Sequence, residues 1–157
     1  MIYIGLDQSS KIVGYAVMQD NNLIEHGVFQ VPQTKSIMSR IAFILHFLDE
    51  LITNKYYKND ECTIGLEDTQ ESRQNTNTFQ LLTKVLGAIE YWLWHNNYNY
   101  KVCHVSSWRN HAGVKGKRRE DKKKHAIQIV KQKFGIEVEE DAAEAILICD
   151  YLKSISE

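Results

Sequence analysis

Asp7, Glu67, Asp141 and Glu144 are the residues of this 157-residue chain best placed to do chemistry. Asp7 follows the apolar run Ile2 to Leu6, Glu67 closes Thr63-Ile64-Gly65-Leu66, and Asp141 and Glu144 stand together where a late apolar run begins. Carboxylate oxygens are preferred ligands of hard divalent cations such as Mg²⁺. Acids drawn from such distant places into one pocket would hold those ions against a phosphodiester.

Each position also has a plainer reading. Asp7 is a favoured residue for the turn that Gln8-Ser9-Ser10 announces. An acid at a strand end, such as Glu67, is common, and Asp68 beside it projects from the opposite face. Asp141 and Glu144 share one helix face, where like charges repel by a few tenths of a kcal/mol. The helix dipole welcomes Glu139, Glu140 and Asp141 in a first turn but accounts less well for Glu144. A bound cation accounts for both, and the joint arrangement says more than any single acid.

The elements that must position these acids follow from apolar periodicity. Met1 to Leu6, Gly14 to Met18 and Leu23 to Val31 read as three strands, with Asp20-Asn21-Asn22 as a turn, which predicts an antiparallel meander. Ile37, Ile41, Ile44, Leu45, Leu48, Leu51 and Ile52 recur at helical spacing over about five turns. Glu61 to Glu67 returns to strand character, Thr76 to His95 is helical, and Lys101 to Val105 is a short strand. A basic segment then runs as a loop into a helix through Ala126, Ile129 and Val130 that Gly135 stops, and a last helix spans Glu140 to about Ser154. The order β-β-β-α-β-α-β-α-α predicts an α/β fold in which a mixed five-stranded sheet is flanked by helices.

Composition sets the frame. With 43% hydrophobic and 25% charged residues, a single Pro and no linker-like tract, the chain is expected to form one domain over residues 1–157. No apolar run approaches the roughly 18 residues of a membrane span, so a cytoplasmic protein is expected. Cys62, Cys103 and Cys149 are far apart in apolar stretches and read as reduced core thiols. The six His residues show no ligand spacing. Net charge is only −1, yet Arg109 to Lys124 holds eight basic residues against Glu120 and Asp121. Positive potential is therefore concentrated where a nucleic-acid backbone could be held.

In that setting the chain resembles the RuvC family of Holliday junction resolvases, within the RNase H-like superfamily, and its small phage-type members most. The resemblance spans nearly the whole length. It rests on Ile4-Gly5-Leu6-Asp7-Gln8-Ser9 with Gly14-Tyr15-Ala16, on Gly65-Leu66-Glu67 followed by Asn75 and Gly87, on Val105-Ser106-Ser107-Trp108-Arg109 with the basic segment, and on Asp141-Ala142-Ala143-Glu144-Ala145. It implies an RNase H-like fold and a structure-selective endonuclease that resolves four-way junctions, and possibly other branched DNA, by paired nicks leaving 5′-phosphate and 3′-hydroxyl ends. Asp7, Glu67, Asp141 and Glu144 would ligate two Mg²⁺ ions, with Mn²⁺ as a substitute. It further implies a homodimer through the helix Thr76 to His95, which ends in Tyr91-Trp92-Leu93-Trp94, and a bacterial or phage-infected bacterial cell as its setting. Lys122 or Lys123 matches the lysine on the catalytic side, and the register between them stays open.

Three departures stand out. Cellular relatives carry Asp-Pro-Gly where this chain has Asp7-Gln8-Ser9, an aromatic wedge where it has Thr69-Gln70-Glu71, and commonly Asp where it has Glu144. The missing wedge puts a strict cleavage-sequence preference in doubt.

Arg109, Lys115, Lys117, Arg118, Arg119, Lys122 and Lys123 are the expected phosphate contacts, giving affinity and salt dependence rather than base reading. Arg73 and Asn75, just after Glu67, are placed to touch DNA near the crossover, although a capping turn for the next helix explains them as well. Two other functions compete: a branched-DNA-binding protein that does not cleave, and a ribonuclease H acting on RNA–DNA hybrids. The extended basic segment and the expected dimer weigh against the second.

Overall fold

The alternating apolar residues at the start of the chain form the centre of a sheet in the computed structural model, which describes residues 1–56, 61–70 and 75–156. Strands β1 (Ile2–Gln8), β2 (Ile12–Gln19) and β3 (Asn22–Gln30) make the antiparallel meander; β4 (Cys62–Glu67) and β5 (Asn99–Cys103) add in parallel. The strand order is β3-β2-β1-β4-β5, so β1 is central and ends beside β4. Five α-helices complete the fold: α1 (Ile37–Leu48), α2 (Thr76–His95), α3 (Val105–Ala112), α4 (Arg119–Phe134) and α5 (Glu140–Ser154). The expected mixed five-stranded, helix-flanked sheet is observed.

Strand alternation sorts the core into two layers. Ile4, Leu6, Val17, Ile64 and Leu66 face α1 and α2, packing on Ile44, Leu48, Ile89 and Leu93. Tyr3, Ala16 and Met18 face the other way, onto α5 with α3 and α4 outside it. Asp7 belongs by parity to this second face.

Helix α5 is buried almost continuously from Ala142 to Asp150, because sheet and helices surround it. Its closeness to the sheet depends on two glycines. A Cβ at Gly5 would stand 2.3 Å from the Ala145 carbonyl oxygen, and one at Gly14 would stand 2.1 Å from that of Asp141. Gly14 is also the register partner of Asp7. The bare strand surface thus lets the first turns of α5 lie directly beside the end of β1.

Two elements differ from the sequence expectation. The first long helix becomes π-helical from Asp49 to Tyr56, beyond the regular α1. Val105 starts α3 rather than ending β5, and Gly113 closes that helix in the left-handed conformation (φ 76°). The three cysteines are free and buried, as expected. No helix among the described residues is long and apolar enough to cross a membrane.

Candidate active site

The end of β1 brings Asp7 against acids from two other elements. Asp7 is only 9% exposed and is hydrogen-bonded to Glu144 of α5 and to Glu67 of β4. Burial raises its pKa well above the ordinary carboxylate range, and the charges of Glu67, Glu144 and Asp141 raise it further. The same effects push Glu67 up to about 7: burial first, then the charge of Glu144, opposed by Arg109, the Trp108 N–H and Asp7. Asp7 therefore feels the charges of the other three sequence-identified acids. Mutual repulsion of buried carboxylates is an arrangement that a positive ion relieves.

Other groups hold the acids meanwhile. Trp108, fully buried on α3, donates its indole N–H to Glu67 Oε1 at 3.1 Å. Arg109 Nη2 lies 3.1 Å from Glu144 Oε1, and its Nε is buried without a hydrogen-bond partner. Gln8 pairs with the main chain of Glu67 in both directions: Nε2 donates to the Glu67 carbonyl at 2.6 Å, and Oε1 accepts from the Glu67 N–H at 3.2 Å. Because β1 and β4 are parallel here, the Gln8 carboxamide stands in for the next peptide of the ladder.

Among the described residues, no group of three or more His, Cys, Asp or Glu side chains is set as a metal-holding cluster. Glu67 is engaged by Trp108 and Glu144 by Arg109, each through its Oε1. The donor set is chemically suited to a hard cation. Its ligand atoms would have to exchange present partners to receive one.

Beside the acids opens a cleft of about 350 Å³, lined by Glu67, Gln8, Gln70, Arg109, Arg119 and Lys122 among others. Three cations from the basic segment thus share the lining of this cleft with Glu67. Lys123 is turned instead to Glu140, 2.5 Å away, and ties α4 to α5. Lys115, Lys117 and Arg118 are exposed; the Arg118 guanidinium and N–H both approach Asp121, while the Lys115 N–H donates to His125 Nδ1. Asn75 uses its side chain to cap α2, accepting from the Thr78 N–H at 3.2 Å. Arg73 lies outside the described residues. Asp68, next to Glu67, is paired with His104 Nδ1 at 2.7 Å.

Sequence reasoning missed the roles of Gln8 and Trp108. Trp108 had an available signal, an aromatic among polar residues three positions after Val105. Gln8 had none, because its function comes from a strand far away in sequence.

On α2, Leu93 is fully buried and Trp92 rests on Tyr98, whereas Tyr91 and Trp94 are 62% and 65% exposed. Gly87 on the same helix is exposed, with open space where a Cβ would be.

Comparison with known proteins gives a structural likeness. RuvC of Thermus thermophilus in complex with Holliday junction substrate superposes with a TM-score of 0.76 at 13% identity, covering 99% of this chain and 96% of that one. A second Thermus thermophilus RuvC structure gives 0.73 at 14% identity, covering 99% and 97%. No family model and no curated protein sequence matches the chain. The shared fold is RuvC-like.

Proposed function

We propose that this protein is a divalent-cation-dependent endonuclease that cuts branched DNA, four-way junctions above all, by paired nicks leaving 5′-phosphate and 3′-hydroxyl ends. The observation that carries the reading is the burial of Asp7 beside Glu67 and Glu144, with Glu67 itself lining a cleft that Arg109, Arg119 and Lys122 also line. Support comes also from the fold, shared with a RuvC whose structure contains Holliday junction substrate.

Asp7, Glu67, Asp141 and Glu144 would hold two Mg²⁺, or Mn²⁺ in their place, which would activate water and stabilise the departing 3′ oxygen. The chain's own contribution is placement. Gln8 and Trp108 orient Glu67, and the α5 backbone lying on Gly5 and Gly14 sets Asp141 and Glu144 beside Asp7. Arg119 and Lys122 hold the phosphate backbone over the acids, with Lys115, Lys117, Arg118 and Lys123 lending further positive potential.

Two symmetric cuts need two sites. We place the second in a second copy of the chain joined through α2, where Tyr91 and Trp94 present apolar surface and Gly87 leaves room for close approach. Our reading keeps a phage-type member of the RuvC family, on the departure of Asp7-Gln8-Ser9 from Asp-Pro-Gly. The bacterial or phage-infected cytoplasm is where such DNA would be met.

The deciding experiment compares Mg²⁺-dependent cutting of a labelled four-way junction, a linear duplex and an RNA–DNA hybrid, by wild type and Glu67→Gln. The reading expects paired nicks in the junction, little cutting of the duplex, and binding without cutting in the variant. One observation favours a second reading, a junction binder that does not cleave: Glu67 and Glu144 already have partners in Trp108 and Arg109. That protein would bind junctions equally in EDTA and Mg²⁺ and leave no nicks.

A further inference from the structure

We infer that Gln8 and Trp108 form a two-sided clamp that sets Glu67 for cation binding, Gln8 through the main chain and Trp108 through the carboxylate. The inference rests on the nuclease reading for its consequence, though the clamp itself is a matter of geometry. Glu67 is the last residue of β4, where a strand ordinarily frays because its next ladder partner is absent. The parallel register between β1 and β4 ends at Leu6 and Leu66. Beyond that point the Gln8 carboxamide supplies both a donor and an acceptor to the Glu67 peptide, at 2.6 and 3.2 Å. Gln8 is 5% exposed, so few waters compete for those bonds.

Trp108 acts on the other end of the residue. Its ring is fully buried among the side chains beneath α5, which fixes where the indole N–H points. The N–H reaches one carboxylate oxygen only, Oε1, at 3.1 Å. Oε2 takes no bond from the indole. A group that fixes a ligand's orientation without touching the ion typically changes metal affinity or activity by about 10–100-fold when removed. Both act on the cation through Glu67, so both are positioning residues.

The pair also explains a local feature of the sequence. A proline at position 8, as in Asp-Pro-Gly, has no side-chain donor or acceptor and could not make either bond. Gln8 and Trp108 therefore belong together as one device built around Glu67.

The test uses the full-length protein with indole nitrogen-15 labelling. Chemical shifts of the three tryptophan indole N–H groups are followed in wild type, Glu67→Gln and Gln8→Met, without metal and through a Mg²⁺ titration. The clamp predicts that one cross-peak, assigned to Trp108 by its loss in Trp108→Phe, moves in Glu67→Gln and again on Mg²⁺ addition. In cutting assays Trp108→Phe and Gln8→Met should each need about tenfold more Mg²⁺ for half-maximal rate, while junction binding by Trp108→Phe in EDTA is unchanged.

A Trp108 cross-peak indifferent to Glu67→Gln would overturn the clamp, as would an unchanged Mg²⁺ requirement in both variants. Should Trp108→Phe fail to fold, Gln8→Met carries the functional arm, and the Trp108 peak is assigned by its dipolar contacts to neighbouring protons. A wild type that binds junctions and never cuts defeats the nuclease reading alone; the metal-free shift comparison still decides whether Trp108 holds Glu67.

Discussion

Arg109 Nη2 stands 3.1 Å from Glu144 Oε1, and both side chains are largely withdrawn from water, at 19% and 6% exposure. The guanidinium thus occupies the electrostatic role that a metal ion would take beside the acids. Removing it strands Glu144, and breaking a buried pair from one side costs about 3–5 kcal/mol. Arg109→Gln should accordingly lower the melting temperature sharply in EDTA and recover part of the loss in Mg²⁺. Thermal melts in the two buffers measure this, and no recovery with Mg²⁺ would count against a cation at these acids.

Burial first, and then the charges of Glu67, Glu144 and Asp141, disfavour the ionised form of Asp7, so its neutral isostere should relieve the metal-free protein. Asp7→Asn is expected to raise the urea midpoint without metal. The same change should abolish cutting and leave junction affinity intact. A destabilised Asp7→Asn would mean that the carboxylate is instead well satisfied where it is.

The raised pKa values fix the sign of the pH dependence. For Glu67 the folded state holds its proton up to about 7, while the unfolded chain releases it near the ordinary 4.5. The folded form binds more protons between those limits, so this contribution to stability is complete below pH 4.5 and is lost as pH rises through 7. Asp7 acts in the same direction. Denaturation midpoints of metal-free protein should fall across that window, and Asp7→Asn/Glu67→Gln should flatten the slope. The rise in melting temperature that Mg²⁺ produces should grow over the same range, because binding requires the deprotonated acids. A wild-type slope unaltered by the double substitution would place the protons elsewhere.

Lys122 and Lys123 are adjacent yet differently employed. Lys122 lines the cleft; Lys123 is paired with Glu140. Lys122→Ala should weaken DNA binding and reduce the slope of log affinity against log salt by about 0.9. Lys123→Ala should leave that slope nearly unchanged. Fluorescence anisotropy at several salt concentrations separates them, and the reverse ranking would show that the cleft is not the DNA path.

Gly14 offers a purely steric check. A Cβ there would meet the Asp141 carbonyl at 2.1 Å, so Gly14→Ala must push the start of α5 away from the sheet. Overpacking of this kind costs about 1–3 kcal/mol. Cutting should fall well beyond what the stability loss explains, because Asp141 and Glu144 move together. A fully active Gly14→Ala would show that their position is not critical.

The sheet, and with it the neighbourhood of the acids, was legible because its signals are local. Strand alternation through Ile2 to Leu6 and the apolar stripe of α2 between Thr76 and His95 both reflect burial of one face. Helix α3 escaped because Val105-Ser106-Ser107-Trp108-Arg109-Asn110-His111-Ala112 has only two buried residues in eight, too few to show a period. The π-helical turn from Asp49 also left no mark in a pattern whose buried Leu51 and Ile52 fit an ordinary helix. The acids could be picked out by type and place, whereas their partners could not. Which cation meets Glu144, and which amide supports Glu67, is decided by elements brought together only in three dimensions.

The glycine-lined seat of α5 has a consequence for the order in which this protein becomes whole. Asp7 and Glu67 belong to strands that pair early in the chain, but they meet Asp141 and Glu144 only when the last helix settles onto Gly5 and Gly14. A chain that has not yet added α5 therefore carries two of the four acids and lacks the other two. Whatever the four acids do together is withheld, by topology alone, until α5 is made and seated.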